Sequence, residues 1–588
     1  MSQLKNPSII FIFSLILMTL SCARVMYKPQ LISSPSGINW AKKVMKEMTL
    51  EEKIGQMVVW QYTGEFVNKD SDYLKDLESL IVRRHIGSLI LFGGEVYETA
   101  HLTNALQKMA KIPLLMASDF ERGTGNQISR ATLFPPLMAL GAADSEELAY
   151  LMGKITAIEG RAMGIHMTYA PVVDVNINPL NPIINTRSIG GDPDQVSRLA
   201  VAFIKGCQEN GLIATAKHFP GHGDTDLDSH IELPVVRGDR DRLDKVEIYP
   251  FKRAIEGGVQ AIMTAHLHVP ALDPTPDLPA TLSPLILTEL LRKELGFKGI
   301  IVTDAMNMGG ITASYSAEEA AIRAVQAGAD MILLPPDPHR VIDALIQAVR
   351  SGQIPSSNID ASVKRILEAK ARLGLHKNRL VEEDSLATIV ASKEYLELAA
   401  RMFENSITLV KNEGNILPLS GENLKIAVFS LSSDPGDYFA GRTFIKEIEK
   451  RCPQAVSFYA DPYTGQEYIQ EGVAKAQEAD TVIFALFSSP SARKGSVDLD
   501  PKHIQLVKDF AQVPAKIIVV SFGSPYFLRH FPEVACYLCA YRSTDKAQIA
   551  AAKALFGEID IKGKLPVTLP NLYPFGHGLV LPKIEKSP

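Results

Sequence analysis

The stretch Lys217-His218-Phe219-Pro220-Gly221-His222-Gly223-Asp224-Thr225-Asp226-Leu227-Asp228-Ser229-His230 places three histidines, three aspartates and a lysine within fourteen residues. It follows the apolar run Leu212-Ile213-Ala214-Thr215-Ala216, which reads as a buried strand. Titratable groups just past such a strand, in a loop broken by Gly and Pro, mark the rim of an active site. A histidine beside a carboxylate, as in Asp228-Ser229-His230, can give and take a proton near neutral pH. The carboxylate fixes the tautomer and favours the charged ring. The plainest alternative for these three residues is an Asx-turn. A second chemistry would use His218, His222, Asp224, Asp228 and His230 as metal ligands. Neither an H-E-x-x-H nor an H-x-H-x-D-H spacing is present to support it.

Eight short apolar runs between residues 36 and 375 would position these groups: Gln56–Trp60, Ser88–Phe92, Pro113–Ala117, His166–Val173, Ile213–Lys217, Ala261–Ala265, Ile300–Thr303 and Asp330–Leu334. Helix-length amphipathic stretches lie between most of them, among them Glu146–Arg161, Pro193–Glu209, Pro284–Leu295 and Ala317–Ala327. Strands alternating with helices imply a parallel sheet, and eight of them predict a (β/α)₈ barrel of the TIM type. A polar residue closes many runs: Asp119, Asp174 with Asn176, Lys217 with His218, His266 and Asp304. In such a barrel the strand ends converge, so positions scattered over the chain would share one pocket. Asp304 taken alone could equally be a helix N-cap after a strand. Residues 376–398 are polar and read as a linker. From 399 to 588 a second alternating pattern, with strands Lys425–Phe429, Ala455–Tyr459, Thr481–Phe487, Lys516–Ser521 and Val534–Ala540, predicts a smaller doubly wound α/β domain. No Gly-rich phosphate loop follows its first strand, which argues against a nucleotide site.

The 588-residue length calls for two or three domains. Hydrophobic content of 46% and charged content of 22% suit a globular protein, and a net charge of −5 gives no basic face for nucleic acid. Residues 1–22 differ: Lys5 precedes an uncharged apolar run that ends at Ser21-Cys22, the plan of a secretory signal peptide. Leu20-Ser21-Cys22 resembles a bacterial lipobox, which makes Cys22 a lipidation site and residues 23–35 a tether. An exported protein, periplasmic or anchored at the outer membrane, is the expectation. Cys536 and Cys539 form a C-x-x-C inside an apolar run; three apart on a strand, they face opposite sides and read as buried core thiols.

The chain resembles glycoside hydrolase family 3, in its bacterial β-N-acetylglucosaminidase branch. Lys217–His230 is similar to that branch's K-H-F-P-G-H-G-x₄-D-S-H pattern, and Val302-Thr303-Asp304-Ala305-Met306-Asn307-Met308 to the segment carrying the nucleophile. Asn185-Thr186-Arg187-Ser188-Ile189-Gly190 resembles a segment whose arginine binds sugar. Ser406–Asn412 with Leu417-Pro418-Leu419, and Gly563–Val567 with Tyr573–Leu579, resemble the opening and close of the second domain. The family usually has D-x-E-G-G after the third strand; here Asp119-Phe120-Glu121-Arg122-Gly123 puts an arginine where glycine is usual. Arg122 would crowd or charge the pocket edge and bear on aglycone preference.

The resemblance implies that Asp304 is the nucleophile of a retaining glycosidase and that His230, paired with Asp228, is the acid/base. Lys217, His218 and Arg187 would favour the ionised Asp304, and Asp119, Arg187, Lys217 and His218 would hold sugar. His266 is a sugar-site candidate or a core histidine bonded to backbone. Asp174 suits a structural role, and Gly221, His222 and Gly223 shape the loop. No cofactor and no metal are implied. The expected function is an exo-β-N-acetylglucosaminidase acting on carbohydrate, with GlcNAc-containing peptidoglycan fragments as implied substrates. The alternatives are a β-glucosidase or β-xylosidase on the same scaffold, a GlcNAc phosphorylase, and a non-catalytic wall-binding lipoprotein.

Overall fold

The computed structural model describes residues 35–420, 424–437, 439–488, 490, 494–510 and 515–585. The expected signal peptide, Cys22 and nearly all of the expected tether lie outside the described residues. No described helix is long and apolar enough to cross a membrane.

Eight parallel strands form the first sheet: β1 (Val58–Gly64), β2 (Ser88–Gly94), β3 (Leu115–Ser118), β4 (Met167–Thr168), β5 (Ile213–Phe219), β6 (Ala261–Thr264), β7 (Ile300–Val302) and β8 (Ile332–Leu333). They run in order β7-β6-β5-β4-β3-β2-β1-β8. Val302 bridges Met331, and the Thr303 amide donates to the Met331 carbonyl at 3.0 Å, which nearly closes the barrel between β7 and β8. All eight expected strands are present; two differ instructively at their ends. Gln56 belongs to the preceding helix, Leu50–Gln56, because Thr49 and Glu52 form a capping box there. β4 is two residues long, since Pro171 lacks the N–H that a longer ladder would need. Irregular bonds continue its path: the Thr215 amide donates to Ala170 at 2.8 Å and the Val173 amide to Lys217 at 2.8 Å.

The surrounding helices start and stop where their caps dictate. Asp192 accepts from the Gln195 amide at 2.8 Å and opens Pro193–Glu209, with proline in its first turn. Ala317–Ala327 ends at Gly328 with φ of 116°. The stretch expected as an ordinary helix from Pro284 is wound as a π-helix over Leu285–Glu294.

The second sheet holds β9 (Thr408–Asn412), β10 (Ile426–Ser432), β11 (Val456–Ala460), β12 (Thr481–Phe487), β13 (Lys516–Ser521) and β14 (Cys536–Cys539). Its order is β11-β10-β12-β13-β14-β9, a doubly wound sheet with one antiparallel edge strand, β9. Alternate residues of each strand enter two cores. Val428 and Cys536 face one, while Phe429 and Cys539 face the other, so the C-x-x-C thiols are buried on opposite sides. Met138, Ala139 and Ala142 of the barrel join the second of these cores, which fuses the two domains. The segment read as a linker is a packed strap. Asn104 exchanges two hydrogen bonds of 2.9 Å with the backbone of Val381, and helix Lys393–Ser406 runs across residue 398.

The C-terminal ends of both sheets point at one place. Asn176, eight residues past β4, donates to the Tyr526 hydroxyl beyond β13 at 3.2 Å. The Gly191 amide donates to Pro566 of the second domain at 2.8 Å, and a Cβ on Gly190 would meet the Pro566 carbonyl at 2.4 Å. The second domain thus clamps the loop that carries Arg187.

Candidate active site

A cavity of about 590 Å³ opens where the strand ends meet, lined by Asp119, Glu121, Arg187, Lys217, His218, His222, His230 and Asp304. Residues drawn from sequence positions nearly two hundred apart therefore share one pocket. Residues of β1, β2, β5, β6 and β8, the positions just beyond β3 and β7, and the loops beyond β4 and β5 build its floor and walls.

Lys217 is 3% exposed and its ammonium donates to Asp119 Oδ1 at 2.8 Å and lies 2.8 Å from Glu121 Oε1. Burial would lower its pKa, but Asp119 and Glu121 overcome this and hold it above the usual lysine value. Arg187 grips Glu121 with both Nε, at 3.1 Å, and Nη2, at 2.7 Å, a bidentate fork. Burial opposes the charge of Glu121, yet Arg187 and Lys217 keep its carboxyl well below the usual range. The result is a ring of mutually fixed polar groups whose free lone pairs and N–H groups suit neutral hydroxyls.

Asp304 sits two residues beyond β7, and its Oδ1 accepts from the Ala305 amide at 2.8 Å. The helix that follows is capped by Met308, so the N-cap alternative for Asp304 does not hold. Burial would raise its pKa; His218, His266, the Ala305 amide and His230 together hold it below the usual carboxylate value. An ionised, half-buried carboxylate facing a cavity is equipped for nucleophilic attack.

Asp228 uses one oxygen twice: Oδ1 accepts from the His230 backbone amide at 2.9 Å and from His230 Nδ1 at 2.7 Å. The Asx-turn and the dyad are thus the same structure, the turn folding the ring back onto the carboxylate. Asp228 is buried while the imidazole is 27% exposed. With Nδ1 committed, Nε2 is the nitrogen left to exchange a proton. His222 supports the loop from beneath, bonding Thr225 Oγ1 and Ser229 Oγ, each at 2.9 Å. Burial first, with His218 adding to it, lowers the His222 pKa to about 4 despite the pull of Asp174, so this ring stays neutral.

Asp174 is fully buried and accepts from the amides of His218 and His222 and from His218 Nδ1, at 3.1, 2.7 and 2.8 Å. It is a hub for the loop, as expected of a structural role. The metal-ligand alternative does not assemble: His218 pairs with Asp174, His222 with Thr225 and Ser229, Asp224 with Arg242, and His230 with Asp228. Among the described residues no group of His, Cys, Asp and Glu is arranged to hold a metal ion. His266 departs from the sugar-binding expectation. It is fully buried outside the cavity lining, with Nδ1 on Thr281 Oγ1 at 2.9 Å and Nε2 on the Ala305 carbonyl at 3.0 Å, beneath the nucleophile candidate.

Two residues were not singled out as site residues by sequence. Glu121, the shared partner of Arg187 and Lys217, stood in the segment after β3, but nothing in one chain told which of the two acids meets which base. Arg542 reaches the cavity from the second domain, three residues past β14. The signal for it was available, since a charged residue just beyond a buried strand is the rule that located the others.

Comparison with known proteins agrees with this architecture. Residues 49–369 match the Glycosyl hydrolase family 3 N terminal domain and residues 407–579 the Glycosyl hydrolase family 3 C-terminal domain. The chain is 31% identical over 596 residues to beta-hexosaminidase A of Pseudoalteromonas piscicida, covering 89% of this chain and 97% of that one. The solved structure of a glycoside hydrolase family 3 beta-N-acetylglucosaminidase from Paenibacillus sp. str. FPU-7 shares 35% identity at a TM-score of 0.79, covering 89% of this chain and 99% of that one. The beta-glucoside phosphorylase BglX bound to 2FGlc shares 29% identity at a TM-score of 0.82, covering 92% and 98%. Two domains in the right order, a barrel whose strand ends gather carboxylates and bases, and these matches along most of the sequence lead to one conclusion: the chain belongs to glycosyl hydrolase family 3 and is a glycoside hydrolase.

Proposed function

We propose that this hydrolase is a retaining exo-β-N-acetylglucosaminidase. The observation that carries the reading is the Asp228–His230 dyad on the cavity wall, 2.7 Å apart. Among the described residues the second domain adds only Pro490 and Arg542 to the lining, and neither is a carboxylic acid that could replace His230. Relatives titled beta-hexosaminidase and beta-N-acetylglucosaminidase support the same reading.

Asp304 attacks the anomeric carbon while the His230 imidazolium gives its Nε2 proton to the glycosidic oxygen, and the aglycone leaves as an alcohol. Water then attacks the glycosyl ester, His230 takes its proton, and the sugar departs with retention. Asp228 stabilises the charged imidazolium, and Lys217, Asp119 and Arg187 hold the sugar hydroxyls. Peptidoglycan fragments carrying a terminal β-GlcNAc are the natural substrates in this reading. Export with a lipid on Cys22 belongs to it too; a Cys22→Ala substitution would move the protein from the membrane to the soluble fraction, and an unchanged distribution would remove the anchor. The activity is tested by comparing aryl β-GlcNAc with aryl β-glucoside. A clear preference for GlcNAc supports the proposal; preference for glucoside turns the assignment toward a β-glucosidase, and turnover of neither toward a wall-binding protein.

A further inference from the structure

The loop that bears the dyad leaves β5 at Phe219 and ends at Asp239, the N-cap of helix Arg240–Lys245. Asp228 and His230 sit near its middle. One side chain beyond the loop, Arg242, reaches both of its legs. Its Nη2 donates to Asp224 Oδ2 at 2.5 Å on the entry leg, and its Nη1 donates to the Arg237 carbonyl at 2.7 Å on the exit leg. Nη2 also donates to Glu247 Oε1 at 2.6 Å. None of these four residues lines the cavity, so whatever they contribute to the reaction they contribute through the loop.

The local sequence fixes this arginine in place. Asp239 caps the helix by accepting from the Arg242 amide at 2.9 Å. A Cβ on Gly238, whose φ is 139°, would lie 3.0 Å from Arg242 Cδ, so glycine lets the exit leg pass close to the arginine stem. Glu247 is the base of the arrangement. It is 2% exposed, and its Oε2 has no hydrogen-bond partner among the described residues, so this buried carboxylate depends on the guanidinium beside it. The helix that follows, Tyr249–Glu256, is fixed to the barrel by Phe251, whose ring meets that of Phe219 edge-on at 5.1 Å. The entry leg rests directly on Glu247: a Cβ on Gly221 would meet Glu247 Cβ at 2.7 Å. Burial would lower the pKa of Arg242, but Asp224 and Glu247 overcome this and keep it charged.

We propose that Arg242 is a positioning residue for the acid/base: it clamps the two legs of the loop to Glu247 and thereby sets where His230 presents its proton. This rests on the reading of His230 as the acid of a retaining β-N-acetylglucosaminidase. With residues 224 and 237 drawn to one guanidinium, the segment that carries the dyad spans a fixed base. A proton donor works only within hydrogen-bond reach of the glycosidic oxygen, so a spread of the legs is felt at Nε2.

The test measures kcat/KM on a series of aryl β-GlcNAc substrates whose leaving groups run from dinitrophenol to phenol. It uses the wild type, Arg242→Gln, Arg242→Lys, Asp224→Asn and His230→Ala. Acid assistance matters most for the poorest leaving group, so a misplaced acid steepens the fall of kcat/KM with leaving-group basicity. A merely structural defect lowers every substrate alike. Arg242→Gln should lose roughly ten- to hundredfold on the phenyl glycoside and stay within about twofold of the wild type on the dinitrophenyl glycoside. Arg242→Lys keeps the charge without the fork and should regain part of that loss. Asp224→Asn frees the entry leg and leaves Arg242 on Glu247 and Arg237; it should steepen the slope by a smaller amount, and it decides the matter if Arg242→Gln does not fold. A uniform loss across the series, or wild-type slopes in both variants, overturns the clamp, and a steep slope in His230→Ala then leaves the glycosidase reading intact. A His230→Ala slope equal to that of the wild type removes His230 as the acid and the role of the clamp with it. If no β-GlcNAc compound is turned over, the glycosidase reading fails, and hydrogen exchange over residues 224–237 decides the clamp: faster exchange in Arg242→Gln and Asp224→Asn supports it, and unchanged exchange overturns it.

Discussion

The strand-end half of the site and the loop that carries His230 are built on opposite principles. Near the strand ends three pairs join groups far apart in sequence: Lys217 to Asp119, Arg187 to Glu121, His218 to Asp174. Such pairs are anchored by two separate segments of the barrel. In the loop the dyad is internal, two residues apart, and the wider anchorage runs mainly through backbone groups, with the His222 amide on Asp174 at 2.7 Å. Asn181 donates to the His222 carbonyl at 2.9 Å, and the amides of Gly309 and Gly310 donate to the carbonyls of His230 and Ser229, both at 3.1 Å. Leu227 and Ile231 are left exposed on its outer face. The difference suits the two roles proposed for Asp304 and His230. A nucleophile must hold sub-ångström position against the anomeric carbon, whereas a proton donor must accommodate aglycones of varied shape.

The sharpest break in this comparison is Asp304→Ala. Loss of the nucleophile should cut kcat/KM by about ten-thousandfold or more on every substrate, aryl or natural. Near wild-type rates on any β-GlcNAc compound would refute the role assigned to Asp304. His230→Ala should act selectively. Disaccharides, whose leaving groups need a proton, should lose roughly a hundred- to ten-thousandfold, and activated aryl glycosides much less; equal losses on both would remove His230 as the acid.

A smaller effect probes the landing site of the loop. A Cβ at position 309 would lie 2.3 Å from the Ile231 carbonyl oxygen, so Gly309→Ala must displace the loop and leave the strand ends untouched. A drop of roughly tenfold on disaccharides, with aryl glycosides spared, is the expected result on the scale of an ångström-sized misplacement. A uniform loss on both would mean the two halves are mechanically one. The smallest effect is on stability. His222 has a folded pKa of about 4, below its unfolded value near 6.5, so its contribution is full above about pH 6.5 and is lost as the pH falls toward 4. Between pH 7 and pH 5 the wild type should lose about 1–2 kcal/mol more unfolding free energy than His222→Asn, measured by denaturant melts at both pH values. Parallel profiles would show that the buried ring does not couple the loop to folding.

What could be read from the chain alone was largely what is local or periodic. Strand positions followed from apolar runs, and all eight barrel strands begin within two residues of the expected start. The dyad was legible because Asp228 and His230 are two residues apart and a turn suffices to join them. Strand β9 escaped because a five-residue antiparallel edge strand lacks the long continuous apolar run of a buried parallel one. The strap over 376–392 read as a polar linker because its bonds to Asn104 and Glu159 pair backbone groups with distant side chains, which leaves no periodic trace.

By itself the sequence determined the barrel and its companion sheet, the order of the domains, and which strand ends carry ionisable groups, because burial imposes a period that any reader can count. Only the tertiary structure decided the pairings. It assigned Glu121 to both Arg187 and Lys217, turned His266 away from the cavity onto Thr281 and Ala305, and brought Arg542 of the second domain into the lining of the barrel's cavity. The physical reason is that a charge acts through space and its partner is chosen by packing, which no spacing along one chain records.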